Sequence, residues 1–193
     1  MAYKNDGIYG AINRYAAYNL PQKEGVYMRN FIFISPNFPT NYWHFCHELK
    51  NNGYNVLGIG DCPYGDLAPE VKDNLAEYYW VRSLKDYDEV YRAVAMFIFK
   101  YGRIDYIESN NEYWLELDAR LRTDFNITSG FKLADMPKVK CKSRMKEYYK
   151  KAGVVTARYC MADSREQCEA FIEEVGYPVI VKPDNGVGAN DTY

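Results

Sequence analysis

The chain is poor in the residues that usually build metal centres and covalent cross-links. It has two histidines, His44 and His47, and its five cysteines, Cys46, Cys62, Cys141, Cys160 and Cys168, form no C-x-x-C pair. That scatter argues against both a zinc site and a disulfide framework. The histidines stand three residues apart on one expected helix, with no second cluster to complete a coordination sphere, and read as helix surface. Long apolar runs are missing too. None approaches the roughly 20 residues of a membrane span, and residues 1–30 lack the continuous apolar stretch of a secretory leader. Cytoplasm is the expected compartment. A net charge of −2 gives no general attraction to nucleic acid or to an anionic membrane.

What is present suits a globular α/β protein. Of the 193 residues 48% are hydrophobic, enough to bury the core of one large domain or of one domain with part of another. Residues 1–30 mix Gly, Asn, Tyr and charged residues without sustained periodicity and read as an irregular lead-in. F-I-F-I, Phe31 to Ile34, is then a short buried strand closed by Ser35-Pro36. Thr40 is placed to cap a helix with Trp43, Cys46 and Leu49 along one face, ended by Gly53. Further strands are expected over 55–59, 78–81 and 104–107. Between the last two, Asp86 to Tyr101 has Val90, Val94, Phe97, Ile98 and Tyr101 at helical spacing, with Gly102 beyond its end. Ser109 and Glu112 have capping-box spacing for a helix carrying Trp114, Leu117 and Leu121. Strands alternating with helices of this length imply a Rossmann-like α/β domain with a mostly parallel sheet.

The first strand–helix loop, S-P-N-F-P-T-N, contains no glycine. The phosphate-binding fingerprint of nicotinamide-dinucleotide proteins is therefore absent, and Asp61, where such proteins hold a ribose, reads as a turn residue. A ligand would still be expected at the carboxyl ends of the strands, near Ser35, Asp61 and Glu108. Glu108 and Glu112 are a possible carboxylate pair, but Glu112 is accounted for by capping.

From Lys138 to Lys151 seven residues are Lys or Arg against one acid, Glu147, so the segment carries +6 and the rest of the chain −8. Such a run fits a solvated basic helix, a nucleic-acid patch, or an anion site with one or two lysines turned inward. Val154 to Met161 reads as a strand. Asp163-Ser164-Arg165-Glu166-Gln167 offers overlapping capping boxes for a helix with Cys168, Phe171, Ile172 and Val175 on one face. The apolar run Val179 to Val181 then delivers Lys182 to a loop containing Gly186 and Gly188. Glycines there would let the backbone approach a ligand and present N–H groups to an anion.

The order K-C-K-S-R-M-K-E-Y-Y-K-K-A-G-V-V-T, capped helix, G-Y-P-V-I-V-K-P, glycine loop resembles the start of the ATP-grasp module of biotin carboxylase, carbamoyl phosphate synthetase and D-alanine ligase relatives. The likeness is strongest over residues 138–190; over the first domain it is one of architecture. It implies a lead-in at 1–30, a Rossmann-like pre-ATP-grasp domain at 31–136 and the beginning of an α+β ATP-grasp domain at 137–193.

The resemblance further implies that Lys142 and Lys182 contact ATP phosphates, with Gly186 and Gly188 in the loop that closes over them. Two cations and a donor-rich loop suit γ-phosphoryl transfer, where negative charge builds on oxygen. The implied function is an ATP-dependent ligase of the carboxylate–amine or carboxylate–thiol type, with ATP, Mg2+ and a small carboxylate as ligands. The family's magnesium and adenine residues would lie beyond Tyr193, so the chain is expected to be the N-terminal portion of such a ligase and inactive by itself; no catalytic residue and no metal ligand is assigned within it. The rival expectation is a non-catalytic α/β binding module whose basic helix docks on nucleic acid or an acidic partner.

Overall fold

The structure is a computed structural model that describes residues 28–188 and 191–193. The expected lead-in at 1–30 falls almost wholly outside the described residues. The chain divides into two compact units, Met1–Gly130 and Phe131–Tyr193.

In the first unit, strands β1 (Asn30–Ile34), β2 (Asn55–Gly60), β3 (Glu77–Trp80) and β4 (Tyr106–Glu108) form a parallel sheet in the order β3-β2-β1-β4. Helix α1 (Trp43–Asn51) follows β1, a short α2 (Pro69–Asp73) precedes β3, α3 (Tyr87–Tyr101) links β3 to β4, and α4 (Leu115–Asp124) follows β4. The strand pleat sorts the side chains by face. Ile32, Ile34, Leu57, Ile59 and Ile107 point to one side, where Val90, Val94 and Phe97 of α3 and Leu121 of α4 complete a dry core. Phe33 and Val56 point to the other and meet Cys46 of α1. With both faces covered, the strands are nearly continuous apolar runs, as buried parallel strands are.

The fold class is as the sequence implies, while several helix starts differ from expectation. Asp86 caps α3, its carboxylate accepting from the N–H groups of Asp88 and Glu89 at 3.1 and 3.2 Å. Thr40 caps nothing: α1 is preceded by Tyr42, in helical conformation and without a side-chain cap. The expected Ser109–Glu112 box is also absent. Asn111 accepts from the Tyr113 N–H at 2.9 Å, because the Ser109 hydroxyl is drawn inward to Asp118 at 2.6 Å.

The second unit contains α5 (Met136–Lys140), α6 (Lys142–Lys151) and α7 (Arg165–Val175). The basic segment is therefore two helices, broken at Cys141, whose ψ of 115° is extended. Ser164 caps α7 by accepting from the Gln167 N–H at 3.2 Å, and Gly176, at φ +75°, ends it. No strand forms over 154–161 or 179–181. Val155, Ile180 and Val181 are exposed rather than buried. An extended segment becomes a strand only when another backbone satisfies its N–H and C=O groups in a ladder; here the Val154 N–H bonds to the Tyr149 carbonyl and Val181 pairs with Tyr193, and no ladder follows among the described residues. Val181 and Tyr193 exchange both backbone bonds, at 2.9 and 2.8 Å, which folds the end of the chain back along the Val179–Val181 run.

Candidate functional site

In the first unit the carboxyl ends of β1 and β4 carry two residues in left-handed backbone, Ser35 at φ 57° and Asn110 at φ 53°. Each sequence candidate there has a local partner. The Ser35 hydroxyl faces the Phe38 carbonyl at 3.4 Å, the Asp61 carbonyl accepts from the Trp80 indole at 3.3 Å, and Glu108 pairs with Arg122. Glu112 is exposed. His44 stacks on Trp43, and His47 meets the Asn74 amide oxygen at 3.0 Å; among the described residues no group of His, Cys, Asp and Glu could hold a metal ion.

What sequence reading missed is a buried charged cluster beneath these loops. Asp118 and Arg122, one turn apart on α4, are both almost fully buried. Arg122 donates to the Ile107 carbonyl at 2.9 Å and to Glu108, while one Asp118 oxygen accepts from the Ser109 N–H at 3.0 Å and from its hydroxyl. Burial pushes the Asp118 carboxyl up to about 7, with nearby Glu108 adding to the rise and the Ser109 bonds and Arg122 opposing it.

A carboxyl that is more acidic unfolded than folded binds its proton preferentially in the native state. Stability therefore falls as pH rises from about 4 to about 7 and is flat beyond. The expected loss is at most ~4 kcal/mol. Urea titrations at pH 5 and pH 8 should show it, and Asp118→Asn should largely abolish the difference between them.

In the second unit the glycine loop folds back onto the start of α6. The Lys142 N–H donates to the Asp184 carbonyl at 3.0 Å, and the Lys142 ammonium donates to the Gly186 carbonyl at 3.3 Å. The Asp184 carboxylate accepts from the Ser143 N–H at 2.7 Å and from the Ser143 hydroxyl at 2.9 Å. Two segments some forty residues apart are thus joined by four bonds, bringing together Lys142 and Gly186 of the sequence candidates.

Lys182 lies two residues before Asp184, is exposed, and bonds to no described residue. Gly188 has a φ of +67°, a conformation that a β-carbon disfavours; a Cβ on Gly186 would meet Pro183 at 3.3 Å. Of the two loop glycines, only Gly188 is demanded by backbone angle. Asp184 places its carboxylate at the positive end of α6, where the helix dipole favours it.

The remaining cations of the basic segment are largely engaged locally. Lys138 pairs with Asp135 at 2.6 Å, Arg144 with Glu147 at 3.2 Å, and Lys146 donates to the Ala157 carbonyl while lying over the Tyr159 ring. Lys151 lies over Tyr148. A groove of about 720 Å³ beside α6, lined by Lys146, Lys150, Arg158 and Glu174 among others, includes none of the four sequence candidates.

No protein-family model matches the chain. It is 30% identical over 168 residues to an L-arginine-specific L-amino acid ligase of Bacillus subtilis, an alignment that takes in 86% of this chain. The chain spans only 39% of that relative's length. Among solved structures, an L-amino acid ligase from Bacillus licheniformis superposes on 84% of the chain with a TM-score of 0.58 and 18% identity, over 39% of its own length. The biotin carboxylase domain of the Hydrogenobacter thermophilus 2-oxoglutarate carboxylase, solved as a dimer with MgADP, ADP and bicarbonate, superposes on 87% with a TM-score of 0.67 and 21% identity. The chain covers 38% of that domain's structure. At these identities the two structures speak for fold.

Proposed function

The chain belongs to the ATP-grasp superfamily, and we propose that it is the N-terminal, phosphate-holding part of an ATP-dependent ligase that activates a carboxylate as an acylphosphate. The observation that carries this is the bonding of Lys142 and the Gly186 loop to one another, with Lys182 exposed on the strand-like segment that leads into the loop. Lys142, Lys182 and the loop N–H groups around Gly186 and Gly188 would face phosphate oxygens.

Their work is electrostatic. In the reaction a carboxylate oxygen bonds to the γ-phosphorus as the bond to the β,γ-bridging oxygen breaks, and ADP leaves. An amine or thiol then attacks the acyl carbon and inorganic phosphate departs. Charge grows on the phosphoryl and bridging oxygens, where fixed cations and N–H dipoles lower the barrier without having to reorganise. Neither lysine needs to move a proton.

The chemistry of these donors, two ammonium groups and backbone N–H, fits phosphate and not a divalent cation. Mg2+ would enter with ATP and be held by residues other than the described ones, adding charge neutralisation at the β- and γ-oxygens. The names of the ligase relatives point to an L-amino acid as the carboxylate.

The test is isotope transfer in the complete ligase carrying this chain. With both carboxylate oxygens of the acceptor amino acid labelled with 18O, one label per turnover is expected in the released phosphate. Unlabelled phosphate would rule out the acylphosphate.

A further inference from the structure

We infer that Asp184 is the positioning residue of the phosphate loop, a latch that holds Lys182, Lys142 and Gly186 in one frame. The inference rests on the phosphate reading given above and adds to it a residue that touches neither nucleotide nor substrate.

The geometry of the latch is specific. A glycine-containing loop that begins Pro183-Asp184-Asn185 has no secondary structure of its own over 184–188, and its apolar neighbours Ile180 and Val181 are exposed. Packing therefore contributes little to holding it. What fixes its base is Asp184, whose two carboxylate oxygens take separate donors on Ser143, the backbone N–H at 2.7 Å and the hydroxyl at 2.9 Å, while its carbonyl takes the Lys142 N–H at 3.0 Å.

The same contacts explain why the basic segment breaks at Cys141. A new helix start exposes N–H groups that need acceptors, and Asp184 supplies acceptors to the first two, those of Lys142 and Ser143. Its negative charge also sits favourably at the positive end of α6, which opens with two cations, Lys142 and Arg144, that the helix dipole alone would disfavour there.

The consequence is mechanical. Lys182 is two residues from the latch along the chain, Lys142 is the residue before Ser143, and Gly186 is two residues beyond Asp184. Releasing the carboxylate removes two of the four bonds between the loop and α6, leaves only those made by Lys142, and loosens the frame that holds all three. Geometric error of about an ångström in groups that stabilise charge costs a great deal of rate and binding.

The test uses the complete ligase. Asp184→Ala is expected to weaken ATP binding ~10-fold, the worth of charge-assisted hydrogen bonds, while leaving adenosine affinity unchanged. Asp184→Asn, which keeps an acceptor for the Ser143 N–H, should recover part of the loss. Ser143→Ala should weaken ATP binding on its own but add nothing in the Asp184→Ala background, because the two residues act through one contact. Lys182→Met serves as the control. If it weakens ATP binding and Asp184→Ala does not, the latch is overturned and the phosphate reading stands; if Lys182→Met has no effect, the phosphate reading itself fails. Equal losses for ATP and adenosine would reduce Asp184 to a general structural role, and a loss seen with Mg2+ but not with EDTA would make it a metal ligand; either result overturns the latch.

Discussion

Changing Lys142 and Lys182 together to methionine in the complete ligase is expected to lower the rate of ADP release by ~10³-fold or more, with the melting temperature unchanged. Removing a single fixed donor from a developing negative charge typically costs ~10²–10³ in kcat, and here two cations go at once. Stability is expected to be spared because neither ammonium supports the fold. Lys182 is exposed and bonds to no described residue, and the Lys142 ammonium makes one bond, at 3.3 Å, to the Gly186 carbonyl. Methionine keeps most of the apolar stem, so packing is little altered. Steady-state kinetics with a coupled ADP assay, beside a thermal melt, separates the two effects.

Replacing Arg122 by alanine is expected to have the opposite profile, a large loss of stability from a residue of the first unit, whereas the glycine loop belongs to the second. Its guanidinium is almost fully buried, donates to the buried Ile107 carbonyl at 2.9 Å, and pairs with Glu108 at the carboxyl end of β4. Gly130 packs so closely on it that an added Cβ would lie 2.9 Å from the guanidinium. Truncation leaves a cavity, an unsatisfied carbonyl and a buried Asp118 without the nearby cation. Breaking a buried ion pair costs ~3–5 kcal/mol. The half-exposed Glu108 side chain can be rehydrated, so the lower end of that range, about 3 kcal/mol, is expected. Arg122→Lys should rescue little, because a lysine ammonium does not reproduce the planar fork that reaches both acceptors. Urea denaturation of the wild type and the two variants measures this directly.

These two cases also mark where the sequence is informative. The first unit is legible because its strands are short β-branched and aromatic runs and its longest helix carries an unambiguous stripe, Val90, Val94 and Phe97, between Asp86 and Gly102. Ser164 is legible for the same reason, a capping residue ahead of a periodic run. Asp118 and Arg122 are not. Charged residues in L-E-L-D-A-R-L-R read as solvent-facing, and only tertiary structure shows that two of them lie on the buried side of α4, where each is matched by a partner. Their i, i+4 spacing in line with Trp114 is the one available signal.

Pairing Lys142 with the glycine loop was legible through family resemblance rather than from charge or spacing. Asp184 was hidden inside a motif read for its lysine and glycines. The strand expectations over 154–161 and 179–181 fail for a physical reason: β-propensity describes how a residue fits a paired, half-buried surface, and these segments lack that surface among the described residues.

The account turns on the claim that this chain grips the phosphates of ATP, and the most direct measurement is calorimetric binding of ATP and of adenosine to the complete ligase and to its Lys142→Met/Lys182→Met variant. The account predicts that the variant loses at least ~10-fold in affinity for ATP while binding adenosine as the wild type does. Equal ATP affinity in the two proteins would contradict it.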